Sequence, residues 1–138
     1  MTTMKKLPLL LFLFPLAFIS CDLGGENYAR YYDYVDIDEM YIPDSAMVGD
    51  TVPVYARAGA PNGCWSELEL YCYPYNDTLY LVNASGLYES HDGVCPEIYV
   101  TMDSTFRFIP DSAGIYIFVA QSKSKQGFTD TLVVSPMR

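Results

Sequence analysis

From about residue 33 onward, apolar and polar residues alternate in short runs. Turn residues interrupt them about every eight to twelve positions, the spacing of an antiparallel sandwich or barrel. Val35 and Ile37 open the first strand, which reaches Ile42 through a bulge near Glu39. Pro43-Asp44-Ser45 turns the chain, and Gly49-Asp50 leads into TVPVYARAG, where Val52, Val54, Ala56 and Ala58 share one face. After Ala60-Pro61-Asn62-Gly63 comes a strand from Cys64 to Tyr73, with Leu68, Leu70 and Cys72 on its buried side. Pro74 to Asp77 turns into TLYLVN, and a loop from Ala84 to Val94 is expected before EIYVTM, in which Ile98, Val100 and Met102 alternate. FRFIP, GIYIFVA and FTDTLVV follow, with SKSKQG (122–127) as the one basic, polar hairpin loop. No helical stripe or heptad interrupts this pattern, so the chain is predicted to be all-β, an antiparallel β-sandwich of about seven to eight strands.

The first twenty residues obey a different grammar. Lys5 and Lys6 precede an uncharged apolar run from Leu7 to Ile19, which contains Pro8 and Pro15 and is short for a bilayer span. Ser20 then sits directly before Cys21. This arrangement resembles the lipobox of bacterial lipoproteins, with Phe18 where leucine is usual. The resemblance implies cleavage before Cys21 and acylation of its thiol, and several acyl chains anchor a protein stably where one does not. Plain secretion by A-x-A cleavage is the alternative, and bulky Phe18 disfavours it. The expected organisation is a signal peptide over 1–20, a lipidated and flexible tether over 21–32, and one β-domain over 33–138. The tether, DLGGENYARYY after Cys21, ends in a tyrosine cluster expected on the domain or near the lipid interface.

Without its leader the chain keeps 118 of 138 residues, enough for one core. Loss of Lys5 and Lys6 leaves 6 basic against 17 acidic residues, a formal charge of −11. So acidic a surface argues against nucleic acid and anionic lipid as partners.

Three cysteines remain in an oxidising compartment, so at most one internal bridge forms. Cys64 and Cys72 bracket one strand and would lie roughly 26 Å apart, far beyond disulfide reach. Cys64–Cys95, each partner following a glycine-bearing turn, is therefore the expected pair, with Cys72 a buried small hydrophobe. Zinc binding is disfavoured, because there is no C-x-x-C and the single histidine, His91, lies in a turn-like SHDG segment. No metal or other cofactor is expected.

Asp111-Ser112-Ala113-Gly114-Ile115-Tyr116 resembles the tyrosine corner of immunoglobulin-like domains, in which a tyrosine hydroxyl bonds back to upstream backbone. Phe118 stands where that family has its second core cysteine, and Val54 is expected to face it. The resemblance therefore implies an Ig-like sandwich without the inter-sheet bridge. An unrelated hairpin carrying a tyrosine is the alternative. The longer string VGDT-VPVYARAG…PNGCW…VCPE…FIPDSAGIYIF is similar in style and spacing to small Ig-like lipoproteins of Bacteroidota.

Three groups of residues are candidates for chemistry. Asp followed by Ser or Thr and a small or apolar residue recurs around Ser45, Thr51, Thr78, Ser104, Ser112 and Thr131. The triplet resembles the O-glycosylation sequon of Bacteroidota exported proteins, and it also suits plain turn chemistry. A glycan would need an exposed strand entrance. Second, Trp65, Glu67, Glu69, Tyr71 and Tyr73 are expected on one face of a strand, with Tyr75 and Tyr80 near in sequence. Aromatic faces and carboxylates together suit sugar rings, so Trp65, Tyr71 and Tyr73 are the candidate ligand-binding residues. Third, Glu67 and Glu69 side by side could mimic a glycosidase pair, although any E-x-E strand spaces carboxylates this way. No G-x-S-x-G surrounds a serine, and Asp36-Ile37-Asp38-Glu39 lacks the ordered calcium-loop pattern. The expected function is a non-catalytic envelope lipoprotein for binding or structural display. Its partners are membrane lipid through Cys21 and a glycan or envelope protein, and an accessory or weak glycoside hydrolase is the alternative.

Overall fold

The computed structural model describes residues 25–138; the leader and Cys21 lie outside them. Eight strands form in the order β1 (Tyr28–Tyr41), β2 (Ser45–Met47), β3 (Val52–Ala60), β4 (Trp65–Pro74), β5 (Leu79–His91), β6 (Val100–Phe108), β7 (Gly114–Ala120) and β8 (Phe128–Ser135). No helix occurs among the described residues, and the all-β expectation holds.

The architecture turns on β1. Its first half, Tyr28–Val35, pairs antiparallel with β5, whereas Asp36–Tyr41 pairs antiparallel with β3. One strand thus belongs to both layers and bends between them, and the register shift between Ile37 and Glu39 supplies the bulge expected there. The first layer holds β4, β5, the first half of β1, β7, β8 and β2; the second holds the rest of β1, β3 and β6. Where β1 leaves β5 at Ala84, β7 takes its place beside Val82, running parallel. The β2–β8 pair is also parallel. The sandwich is therefore mixed, a correction to the purely antiparallel expectation that follows from sheet crossing rather than hairpin succession.

The core lies between the layers. Val52, Val54, Ala56 and Ala58 alternate inward along β3 as their spacing predicts, opposite Phe118, Val82, Ala84 and Leu132. Val54 and Phe118 are both fully buried in this cluster. Burying a side chain of this size contributes roughly 1.5–3 kcal/mol. The Tyr116 hydroxyl donates to the Ser112 carbonyl at 3.0 Å, so the corner bond forms as anticipated.

Three strand boundaries differ from expectation. Tyr28–Tyr32, read as tether, are already paired along β5. The segment 84–91, read as loop, continues β5 to His91. Its small and polar residues suit a central strand flanked on both edges: a Cβ on Gly86 would meet the end of the Leu68 side chain at 2.5 Å and displace it. The end of EIYVTM and the start of FRFIP run together in one strand, β6, whose ladder against β3 is unbroken from Val100 to Phe108, while Ile98 lies before it and is exposed rather than inward.

Cys64 and Cys95 form the expected disulfide, with Cα atoms 5.2 Å apart. Antiparallel pairing of β4 and β5 places Cys64 beside the far end of β5, where Glu89 N–H donates to its carbonyl at 2.9 Å. Cys72 is unpaired and half-buried, and burial raises its thiol pKa to about 11.

Candidate functional site

The expected aromatic strip is redrawn by a single extra residue. Ser66 pairs with Leu87 and Glu69 with Ser85, so Glu67 and Leu68 together oppose Gly86. Glu67 takes the left-handed conformation, with φ at 49°. This bulge reverses the alternation, because side chains on either side of it change faces. Trp65 therefore lies on the Leu68 and Leu70 side, half-buried against the core and packed edge-on to Tyr88 at 5.4 Å between centroids. It does not share a face with Tyr71 and Tyr73, a correction to the expected strip. Tyr80 also turns inward and stacks on Phe118 at 5.1 Å, while Tyr75 stands exposed in the turn before β5.

The outer face instead gathers tyrosines from two strands. Tyr71 and Tyr73 on β4 and Tyr32 and Tyr34 on β1 flank Asn83 and Ser85 on β5, and Asp33 completes the lining of an open groove of about 450 Å³. All four tyrosines are exposed, Tyr32 and Tyr34 to 63% and 59%. The rings are fixed by neighbours. Tyr32 donates to Glu67 at 2.5 Å, and the bond to this carboxylate raises the Tyr32 hydroxyl pKa. Tyr71 donates to Glu69 and accepts from Ser85 at 3.4 Å. Asn83 Nδ2 donates to the Tyr73 hydroxyl at 2.8 Å.

Asn83 is the unusual member. Its side chain faces the groove but is only 5% exposed, and its Oδ1 has no hydrogen-bond partner among the described residues. Topology explains the orphan. The β1 ladder ends at Ala84 and the β7 ladder at Val82, so Asn83 sits opposite the gap between two successive neighbours. Neither β1 nor β7 pairs a residue with it there, and an unpaired buried polar atom costs about 1–3 kcal/mol.

Sequence reasoning found Tyr71 and Tyr73 but missed Tyr32, in the supposed tether, Tyr34, just before the expected first strand, and Asn83 and Ser85, on either side of the start of the supposed loop. The Y-x-Y and N-x-S alternation at those positions was the available signal. Glu67 and Glu69 are each held by a tyrosine hydroxyl rather than facing one another as a pair.

The acidic run near Glu39 is also accounted for. The 122–125 loop folds onto β1: Lys123 pairs with Asp33, Ser124 N–H donates to Asp36 at 2.7 Å, and Lys125 pairs with Asp38 at 2.7 Å. No cluster of potential metal ligands occurs among the described residues, and His91 is exposed beside Glu26.

Of the hydroxyls in the Asp-Ser/Thr triplets, Ser45, Thr51, Thr78, Ser112 and Thr131 are exposed. Ser104 is half-buried mid-strand between Met102 and Phe106, and so lacks the exposed strand entrance that a glycan needs. Several triplets perform turn chemistry: Asp50 accepts from Met47 N–H at 2.8 Å, and the Ser112 hydroxyl lies 3.0 Å from that of Tyr116. No family model, curated protein or solved structure matches this chain.

Proposed function

We propose that this chain is a lipoprotein of the bacterial cell envelope, of the small Ig-like Bacteroidota type, held at the outer membrane through an acylated Cys21. Its sandwich binds carbohydrate without catalysing a reaction. The observation that carries this reading is the tyrosine-walled groove with the buried Asn83 amide at its floor. Tyrosine rings offer flat apolar area to the C–H face of a pyranose, and fixed polar groups select its hydroxyls. The Asn83 amide is held in place by Tyr73, so little ordering entropy is lost on binding. The exposed hydroxyls of Ser45, Thr51, Thr78, Ser112 and Thr131 are attachment candidates for the protein's own glycans, on the strength of the triplet resemblance.

A glycan array tests the reading. Wild-type residues 22–138 bind at least one oligosaccharide, and Tyr71→Ala with Tyr73→Ala abolishes the signal while Trp65→Phe retains it. Binding indifferent to the two tyrosines would place the ligand elsewhere and defeat the proposal.

A further inference from the structure

Resting on the carbohydrate reading, we infer that the groove selects uncharged oligosaccharides and rejects acidic ones, with Asn83 as the residue that reads a sugar hydroxyl. The charge around the groove carries the first part. Glu67 and Glu69 stand on its β4 side, each bonded to a tyrosine hydroxyl rather than to a cation. Asp33 lies on its β1 side, where Lys123 neutralises it. Arg30, further along β1, is paired with Glu89 at 3.6 Å. The groove therefore presents two carboxylates without cationic partners, in a chain of net charge −9. A uronic acid or sulfated sugar would bring its anion beside them, where the nearby cations, Lys123 and Arg30, are already paired with Asp33 and Glu89, and like charges at close range disfavour binding.

The orphaned amide carries the second part. Its Oδ1 needs a donor, and a neutral sugar supplies hydroxyl groups that donate without bringing charge. A site with a buried unsatisfied acceptor also discriminates strongly, because a ligand lacking the matching donor leaves the penalty in place. The groove has the form of a chain-binding track. Tyr32 stands opposite Leu87 and Tyr73 opposite Leu81, so its walls follow β5 for roughly 20 Å at about 3.3 Å per residue. That length suits several pyranose units lying along the strand rather than one free sugar.

Titration calorimetry at low ionic strength tests this with hexasaccharides. The neutral probes are cello-, laminari-, manno- and chitohexaose; the acidic ones are hexagalacturonate and hexamannuronate. At least one neutral hexamer binds, and every acidic hexamer binds at least tenfold more weakly. Asn83→Leu, of similar volume, weakens neutral binding at least tenfold. Tyr34→Ala, a change on an exposed strand position, does the same without touching the sheet floor. Glu67→Gln with Glu69→Gln narrows the gap between neutral and acidic probes. Equal or tighter binding of an acidic hexamer overturns the charge selection while leaving sugar binding intact. Neutral binding unchanged in Asn83→Leu removes the role of the amide. Absence of binding by all six probes, or indifference to Tyr34→Ala, overturns both this inference and the carbohydrate reading.

Discussion

The Ser122 hydroxyl accepts from Ile37 N–H at 2.9 Å and donates to the Ile37 carbonyl at 3.1 Å, joining residues 85 positions apart. Ile37 lies beside the bulge where β1 changes layers, so its backbone groups have left the β5 ladder. One serine thereby replaces what the interrupted ladder no longer supplies. Ser122→Ala is expected to destabilise the fold by about 1–3 kcal/mol, the cost of leaving partly buried backbone groups unsatisfied. Urea unfolding of the variant against wild type measures it, and an unchanged midpoint contradicts this role.

Acid should loosen the same junction. Asp33 is held below the usual carboxylate range by its bond to Lys123 and the Tyr34 N–H. Burial works against ionisation of Asp36 and Asp38, but Ser124 bonds to the first, and Lys125 and Tyr99 bond to the second, outweigh it and lower both pKa values. A carboxylate with a depressed native pKa stabilises the fold above its unfolded pKa and loses that contribution as pH falls through the native value. Stability is thus expected to be flat from about pH 7 to 5 and to decline below about pH 4, near the unfolded aspartate pKa. Asp36→Asn and Asp38→Asn should flatten the decline, as thermal melts across pH 2.5–7 would report.

Reducing the bridge should cost more than either change. Cys64 and Cys95 are 31 residues apart in sequence. Closing a loop of that length is worth roughly 3–4 kcal/mol in the chain-entropy picture. The Cys64→Ala, Cys95→Ala double variant is expected to unfold at correspondingly lower urea, with Cys72 unable to substitute from mid-β4. A stability equal to wild type would show that the bridge adds nothing to the folded domain.

Anchoring has a direct readout. Intact mass of protein extracted from membranes should show loss of residues 1–20, acyl additions on Cys21 and the two-hydrogen deficit of one disulfide. Cys72 should alkylate slowly at neutral pH, because burial raises its pKa to about 11 and leaves little thiolate. A retained leader or an unmodified Cys21 would refute the anchor, and hexose-containing additions would show that the chain carries glycan.

The all-β class, the inward side of β3, the tyrosine corner and the Cys64–Cys95 pair were all legible in the chain. Each depends on local alternation, turn residues or the reach of a short covalent link, and these act over a few residues whatever the rest of the molecule does. Tertiary structure decided the site. Whether Trp65 faces outward depends on the bulge at Glu67, and that bulge is defined only against Gly86 on the neighbouring strand. Asn83 sits opposite a gap in the neighbouring strands, because β1 departs for the second layer at Ala84 and β7 stops one residue short at Val82. Alternation assigns a residue to one of two faces; cross-strand register, set by contacts between distant segments, determines what that face meets.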